Sequence, residues 1–218
     1  MINSPLRLSA ITRPSSLKGK APALFLLHGY GSDENDLFSF AEELPKELFI
    51  ISLRAPHPLS TYGNAWYGID FNADQNKWNN VEQAKSSMKL ILEYIESSCK
   101  IYNLDSNNIN LLGFSQGCIL SMALAMNYPK IFKNIIGLSG YICKEFLTPP
   151  LDRAHYKHLS FYCSHGSSDQ VIPVEWARET PKLLEQYHIA FDYSEFPVGH
   201  GVSPQNFFEF KRWLENRI

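Results

Sequence analysis

Residues 111–117 read LLGFSQG, an apolar run that ends in two glycines bracketing one serine, with a second apolar run behind it. Glycine costs ordered structure about 0.5–1 kcal/mol relative to alanine, so two of them this close together mark a special backbone. The preceding Ile109–Gly113 has the length and apolar character of a buried strand, and Ser115–Tyr128 continues as a helix. Strand, tight turn and helix in this order form one unit of a layered α/β architecture.

The same alternation runs outward along the chain. Short apolar runs bounded by Gly, Pro, Asn or Ser predict strands at Leu6–Ile11, Ala23–Leu27, Phe49–Leu53, Ile109–Gly113, Ile135–Leu138, Leu159–Cys163 and Phe191–Phe196. Longer patterns predict helices at Glu34–Leu44, Asn80–Tyr102, Ser115–Tyr128, Val174–Tyr187 and Pro204–Arg217. Asn80–Tyr102 sets Val81, Ala84, Met88, Ile91, Leu92 and Ile95 on one stripe, and Ser203-Pro204 supplies an N-cap followed by a first helical proline. The expected fold class is α/β, with a mostly parallel central sheet and helices on both faces. In such sheets ligands bind beyond the carboxyl ends of the strands.

A chain of 218 residues suits one domain, 1–218, with a sizeable core. Apolar residues make up 44% and charged residues 19%, a globular composition. A net charge of −2 with no run of like charges gives no attraction for nucleic acid or an anionic membrane. Cys99, Cys118, Cys143 and Cys163 lie far apart in apolar stretches and form no metal-ligand spacing. The first twenty residues lack the continuous apolar core of a signal peptide, and no run reaches the roughly 18 apolar residues of a membrane span. With no N-x-S/T sequon, the expected compartment is the reducing cytoplasm.

Gly-x-Ser-x-Gly between a strand and a helix has the placement of a nucleophile elbow, which lifts the Ser115 hydroxyl above the sheet at a helix N-terminus. A serine hydroxyl needs a base, and after such an elbow the partners follow in the order acid, then histidine. CSHGSSDQVIP offers Asp169 at the end of one strand, and FPVGHGVSP offers His200 at the end of another. His165 sits in the Asp169 loop and reads as a brace; His155, His158 and His188 lie in surface-like contexts, and His57 precedes the serine. Asp152 and Asp192 are the rival acids. For the oxyanion, the backbone N–H groups of Gln116 and of Tyr30, in His28-Gly29-Tyr30-Gly31, are the candidate donors.

HGYGSDENDL, GFSQG, HGSSDQVIP and VGHG, in this order and spacing, resemble the phospholipase/carboxylesterase group of α/β-hydrolases, which includes acyl-protein thioesterases and small bacterial carboxylesterases. The resemblance runs from about Ala23 to the C-terminus. It implies Ser115 as nucleophile, Asp169 as acid, His200 as base, and the Tyr30 and Gln116 amides as oxyanion hole. In NAWYGID, Trp66 either resembles the group's tryptophan beside the acyl pocket or is a core-filling aromatic, with Tyr67, Phe71 and the 148–158 loop as weaker candidates for the pocket lining. Two positions depart from the group. Cys118 stands where many relatives have glycine or alanine, and Tyr30 stands where the thioesterases carry leucine, which narrows the expected acyl channel.

The expectation is a serine hydrolase of short to medium carboxylic esters, working through an acyl-enzyme on a small-molecule ester or thioester. It requires no metal and no other cofactor, no nucleic acid and no membrane span, and it acts as a monomer or homodimer. Two alternatives stand beside it: a lysophospholipase or acyl-protein thioesterase for long acyl chains, and a catalytically silent binding protein on the same fold. A metallohydrolase has no HxH or HExxH pattern to support it.

Overall fold

A computed structural model describes residues 6–71, 77–148 and 152–218. In chain order the elements are β1 (Ala10–Arg13), β2 (Ala21–Leu27), α1 (Asn35–Phe38), β3 (Phe49–Leu53), β4 (His57–Pro58), β5 (Asn64–Ala65), β6 (Ile69–Phe71), β7 (Lys77–Asn79), α2 (Val81–Ile101), β8 (Leu104–Phe114), α3 (Gln116–Asn127), β9 (Asn134–Leu138), β10 (Ser160–Gly166), α4 (Val174–Ala177), α5 (Glu179–Gln186), β11 (Ala190–Phe196) and α6 (Pro204–Glu215). Seven strands form one sheet in the order β1-β3-β2-β8-β9-β10-β11. Every pairing in it is parallel except that of edge strand β1 with β3.

Period-two alternation divides the core between the two faces of this sheet. Phe25, Leu27, Ile51, Leu111, Ile135 and Phe161 point to one face, where they pack with residues of α2, α3 and α5. Leu24, Leu26, Ile50, Leu112, Ile136 and Tyr162 point to the other, against α1 and α6. Helix α3 lies at the centre, and every residue from Gln116 to Met126 is buried. A helix apolar all round must be covered on all sides. The sheet-plus-helices expectation holds, with helices on both faces.

The departures have local causes. β1 begins at Ala10 rather than Leu6, and Arg13 at its end donates to the carbonyls of Ala41, Leu44, Pro45 and Leu48. The helix expected over 34–44 is α-helical only through Phe38. It continues as turns in which Phe40, Ala41 and Glu43 donate to carbonyls three residues back, those of Leu37, Phe38 and Phe40, while the later carbonyls of Ala41 and Leu44 accept from Arg13. The helix expected over 174–187 breaks at Arg178 into α4 and α5. Pro181 causes the break, because its ring clashes with the carbonyl four residues back, that of Ala177. Among the described residues no helix is long and apolar enough to cross a membrane.

Candidate active site

The sheet order reverses between β2 and β8: the chain leaves β2 for β3 on one side, and β8 leads to β9, β10 and β11 on the other. A crevice opens at the carboxyl ends of two such strands. His28-Gly29-Tyr30-Gly31 leaves β2 there, and Ser115 leaves β8.

Ser115 has φ 53° and ψ −116°, left-handed backbone that side chains other than glycine rarely adopt. Such a residue costs of order 1–3 kcal/mol and persists only where its surroundings hold it. Here its N–H donates to the Leu138 carbonyl at 2.9 Å, and its carbonyl accepts from Ile119 at 3.1 Å. The flanking glycines are required by contact. A Cβ on Gly113 would lie 2.3 Å from the Gly117 carbonyl oxygen, and one on Gly117 would lie 2.0 Å from that of Leu27. Strand, elbow and helix backbones are pressed together, and no side chain fits between them. Cys118 likewise has its room from glycines: a Cβ on Gly140 would fall 2.5 Å from its Sγ, and one on Gly137 3.0 Å.

The structure brings Ser115, His200 and Asp169 into one hydrogen-bonded chain. His200 Nε2 lies 2.9 Å from Ser115 Oγ, and His200 Nδ1 lies 2.7 Å from Asp169 Oδ2. Asp169 Oδ1 accepts from the amides of Val171 at 2.8 Å and Ile172 at 2.9 Å. Burial pushes the Asp169 carboxyl up, but the bonds from His200, Ile172 and Val171 outweigh it and hold the group below its ordinary value. An ionised Asp169 accepts only, so Nδ1 of His200 carries the proton and Nε2 is left to accept from the Ser115 hydroxyl. The two loops meet closely because position 166 is glycine, where a Cβ would lie 2.1 Å from the Gly199 carbonyl oxygen.

The other histidines and acids are engaged elsewhere. Buried His165 contacts Asp169 Oδ2 at 3.2 Å and the Ile172 carbonyl at 2.9 Å through Nε2, a brace on the acid loop. His155, His158 and His188 meet the Asp152 carbonyl, the Pro129 carbonyl and Arg153. Asp192 accepts from the Trp213 indole at 2.6 Å, and Asp152 accepts from the Ala154 amide at 3.0 Å.

A cavity of about 210 Å³ opens beside Ser115, lined by Tyr30, Tyr67, Ile69, Gln116, Ile119, Val171 and Ile172. The Tyr30 and Gln116 positions thus border the same space as the Ser115 hydroxyl. The glycines hold the first loop against the elbow: a Cβ on Gly29 would meet Phe114 at 3.2 Å and the Ser115 Cβ at 3.4 Å. Gly31 donates to the Asn64 carbonyl and Asn64 to that of Ser32, which ties the loop to β5. Trp66 is corrected by the geometry. It is wholly buried, donates its indole N–H to the His28 carbonyl at 2.9 Å and packs at a tilt against the His28 ring, so it supports the loop, while Tyr67 and Ile69 line the cavity. The Phe71 side chain and residues 149–151 lie outside the described residues.

Two side-chain roles absent from the sequence reading, those of Gln116 and His28, complete the support. The Gln116 side chain accepts from the Trp66 amide and donates to the Tyr67 carbonyl, both at 2.8 Å, clamping the cavity wall to the elbow. His28, fully buried, donates from Nδ1 to the Gly29 carbonyl at 2.7 Å and accepts at Nε2 from the Ala55 amide at 3.0 Å. Desolvation lowers its pKa, and protonation would set a second N–H against that of Ala55. Neither role leaves a periodic or motif signal.

Comparison with known proteins shows the family and the fold. The phospholipase/carboxylesterase family matches residues 9–218. An acyl-protein thioesterase 1 of Kluyveromyces lactis is 26% identical, with 97% of this chain and 98% of that protein aligned. The solved structure of esterase PE8 superposes with a TM-score of 0.84 at 22% identity, covering 97% of this chain and 99% of that one. A carboxylesterase of Bacillus cereus gives the same TM-score at 19% identity, with 96% and 94% covered. The fold is that of the α/β-hydrolase esterases, and the chain belongs to the phospholipase/carboxylesterase family of ester- and thioester-cleaving hydrolases.

Proposed function

We propose that this hydrolase cleaves carboxylic esters with short to medium acyl groups through Ser115, His200 and Asp169. The observation that carries the reading is the continuous chain of hydrogen bonds from Asp169 through His200 to the Ser115 hydroxyl, at 2.7 and 2.9 Å, beside an apolar cavity. Ser115 Oγ attacks the carbonyl carbon while His200 Nε2 takes its proton. The tetrahedral oxyanion forms against the Tyr30 and Gln116 amides, a contribution of roughly 3–4 kcal/mol for each donor of this kind. His200 then protonates the leaving alcohol or thiol, and a water repeats the sequence on the acyl-enzyme. Asp169 keeps the imidazole in its Nδ1–H form and stabilises the imidazolium.

The cavity supports a small acyl group. At ~30 Å³ for a water-sized group, about 210 Å³ takes roughly seven non-hydrogen atoms, enough for butyryl or hexanoyl and far short of palmitoyl. The names of the thioesterase relatives favour the second reading, long acyl chains on proteins or lysolipids, with the same residues in the same roles. The intact hydrogen-bonded chain argues against a silent binding protein. Four free cysteines suit a reducing, cytoplasmic setting. Hydrolysis of p-nitrophenyl esters from acetate to palmitate tests the reading. Activity peaking at butyrate or hexanoate, with kcat reduced by about 10⁶-fold in Ser115→Ala, is expected; a peak at palmitate establishes the long-chain alternative.

A further inference from the structure

A second cavity lies at the edge of the sheet opposite Ser115. It measures about 620 Å³ and is bordered by the second half of α2, the start of β8 and the turn that follows α3. Its floor is Leu92, Ile95, Leu104, Ile109 and Ile131, all within or packed on the main core, so that core reaches the base of the cleft. Strand β8 runs from here to the elbow, and about 20 Å of extended chain separates Ile109 from Ser115. The rim is charged, and unevenly so. Four lysines and two glutamates line the cleft, in a protein whose net charge is −2. Glu96 is held by Lys100 at 2.7 Å, and Glu93 faces Arg7 at 3.4 Å. Lys20, Lys89 and Lys130 are exposed and have no ion-pair partner among the described residues. An apolar recess rimmed by polar groups is the form of an interaction site, and its volume falls in the range of about 300–1,000 Å³ typical of small-molecule sites.

We propose that this cleft binds a free carboxylate with a long alkyl chain, its head among Lys20, Lys89 and Lys130 and its chain on the apolar floor. The surplus of lysines selects an anion, and the floor selects an apolar remainder. Asn103 and Ser106, the neutral polar residues of the lining, stand where β8 begins, at the end bordered by Lys20, whose neighbour Ala21 pairs with Leu104. They therefore leave the floor itself without a polar group to satisfy. Shape agrees with an extended chain, because α2 borders the cleft over about 16 Å from Lys89 to Lys100. At ~30 Å³ for a water-sized group the volume takes roughly twenty non-hydrogen atoms, the size of a palmitate or stearate ion. A membrane surface fits less well, since its contact needs protruding apolar side chains and these lie in a recess. The inference does not rest on the reading of the Ser115 cavity.

Calorimetric titration with sodium dodecanoate, kept below its micellar concentration, compares wild type with the triple variant Lys20→Glu/Lys89→Glu/Lys130→Glu, whose three positions are exposed and place little burden on folding. Wild type is expected to bind, and the variant to bind at least tenfold more weakly, with hydrolysis of p-nitrophenyl butyrate equal in both. Cys99, a free and half-buried thiol in the same cleft, locates the ligand. Its alkylation by N-ethylmaleimide, followed by peptide mass spectrometry, should slow several-fold when dodecanoate is present. Dodecyltrimethylammonium, with the same chain and a cationic head, and inorganic phosphate, an anion without a chain, should leave that rate unchanged. No dodecanoate binding, equal binding by wild type and variant, or binding that leaves Cys99 alkylation unaltered overturns the inference. Protection of Cys99 by phosphate as strong as that by dodecanoate overturns the chain and leaves an anion site. Lysine-dependent sedimentation with phosphatidylserine vesicles in the absence of dodecanoate binding overturns it in favour of a membrane contact.

Discussion

Replacing Gln116 with methionine keeps the length and most of the volume of the side chain and removes both of its hydrogen bonds. Trp66 N–H and the Tyr67 carbonyl, each bonded to it at 2.8 Å and both in fully buried residues, lose their partners. A buried polar group left unpaired costs about 1–3 kcal/mol, so the pair costs about 2–6 kcal/mol. In a chain of this size each kcal/mol lowers the thermal midpoint by roughly 2–4 °C, and a mid-range loss lowers it by about 12 °C. Gln116→Glu sharpens the test. Its carboxylate can still accept from Trp66, but sets a second acceptor against the Tyr67 carbonyl, so its folded pKa is raised above the unfolded value. Its deficit against wild type should therefore shrink as pH falls through that folded pKa, while the Gln116→Met deficit stays constant. Urea unfolding at several pH values measures both. A Gln116→Met protein within about 0.5 kcal/mol of wild type would refute the clamp.

Asp169→Asn should leave the fold intact and lower kcat by about 10⁴-fold, because an amide N–H facing His200 favours the wrong imidazole tautomer; steady-state kinetics with p-nitrophenyl butyrate check this, and a loss under tenfold would contradict the role. His28 has a folded pKa below its unfolded value of about 6.5, so its contribution to stability is complete above that pH and is lost as pH falls below it, at a slope of up to ~1.4 kcal/mol per pH unit. Asp169, also lowered, makes its contribution above its unfolded value of about 3.9 and loses it only in stronger acid. Urea unfolding between pH 7.5 and 4.5 should therefore show declining stability, and a flat profile would contradict a neutral buried His28.

The sheet was legible because its strands are short apolar runs with clear ends, and the elbow because Gly113 and Gly117 cannot be anything else where backbones approach to 2.0–2.3 Å of a Cβ. The order serine, acid, histidine followed from loops at strand ends, which the sheet brings to one edge. What escaped depends on contacts distant in sequence. Arg13 gathers carbonyls from 41–48 and so shapes the segment after α1, although nothing near Arg13 announces it. Pro181 lies inside the segment expected as one helix, Val174–Tyr187, and is the local cause of the break between α4 and α5. The resemblance set Trp66 beside the pocket and its size suited the core equally, since a large aromatic fits either face of its segment. Only the His28 carbonyl and the Gln116 amide fix which way it points.

The most direct test of the catalytic account is covalent labelling with diisopropyl fluorophosphate followed by peptide mass spectrometry. A single phosphoryl adduct on Ser115, formed in step with loss of esterase activity and strongly slowed in His200→Ala, is the expected result. An unlabelled Ser115 in active enzyme, or inactivation that tracks an adduct on another residue, would contradict it.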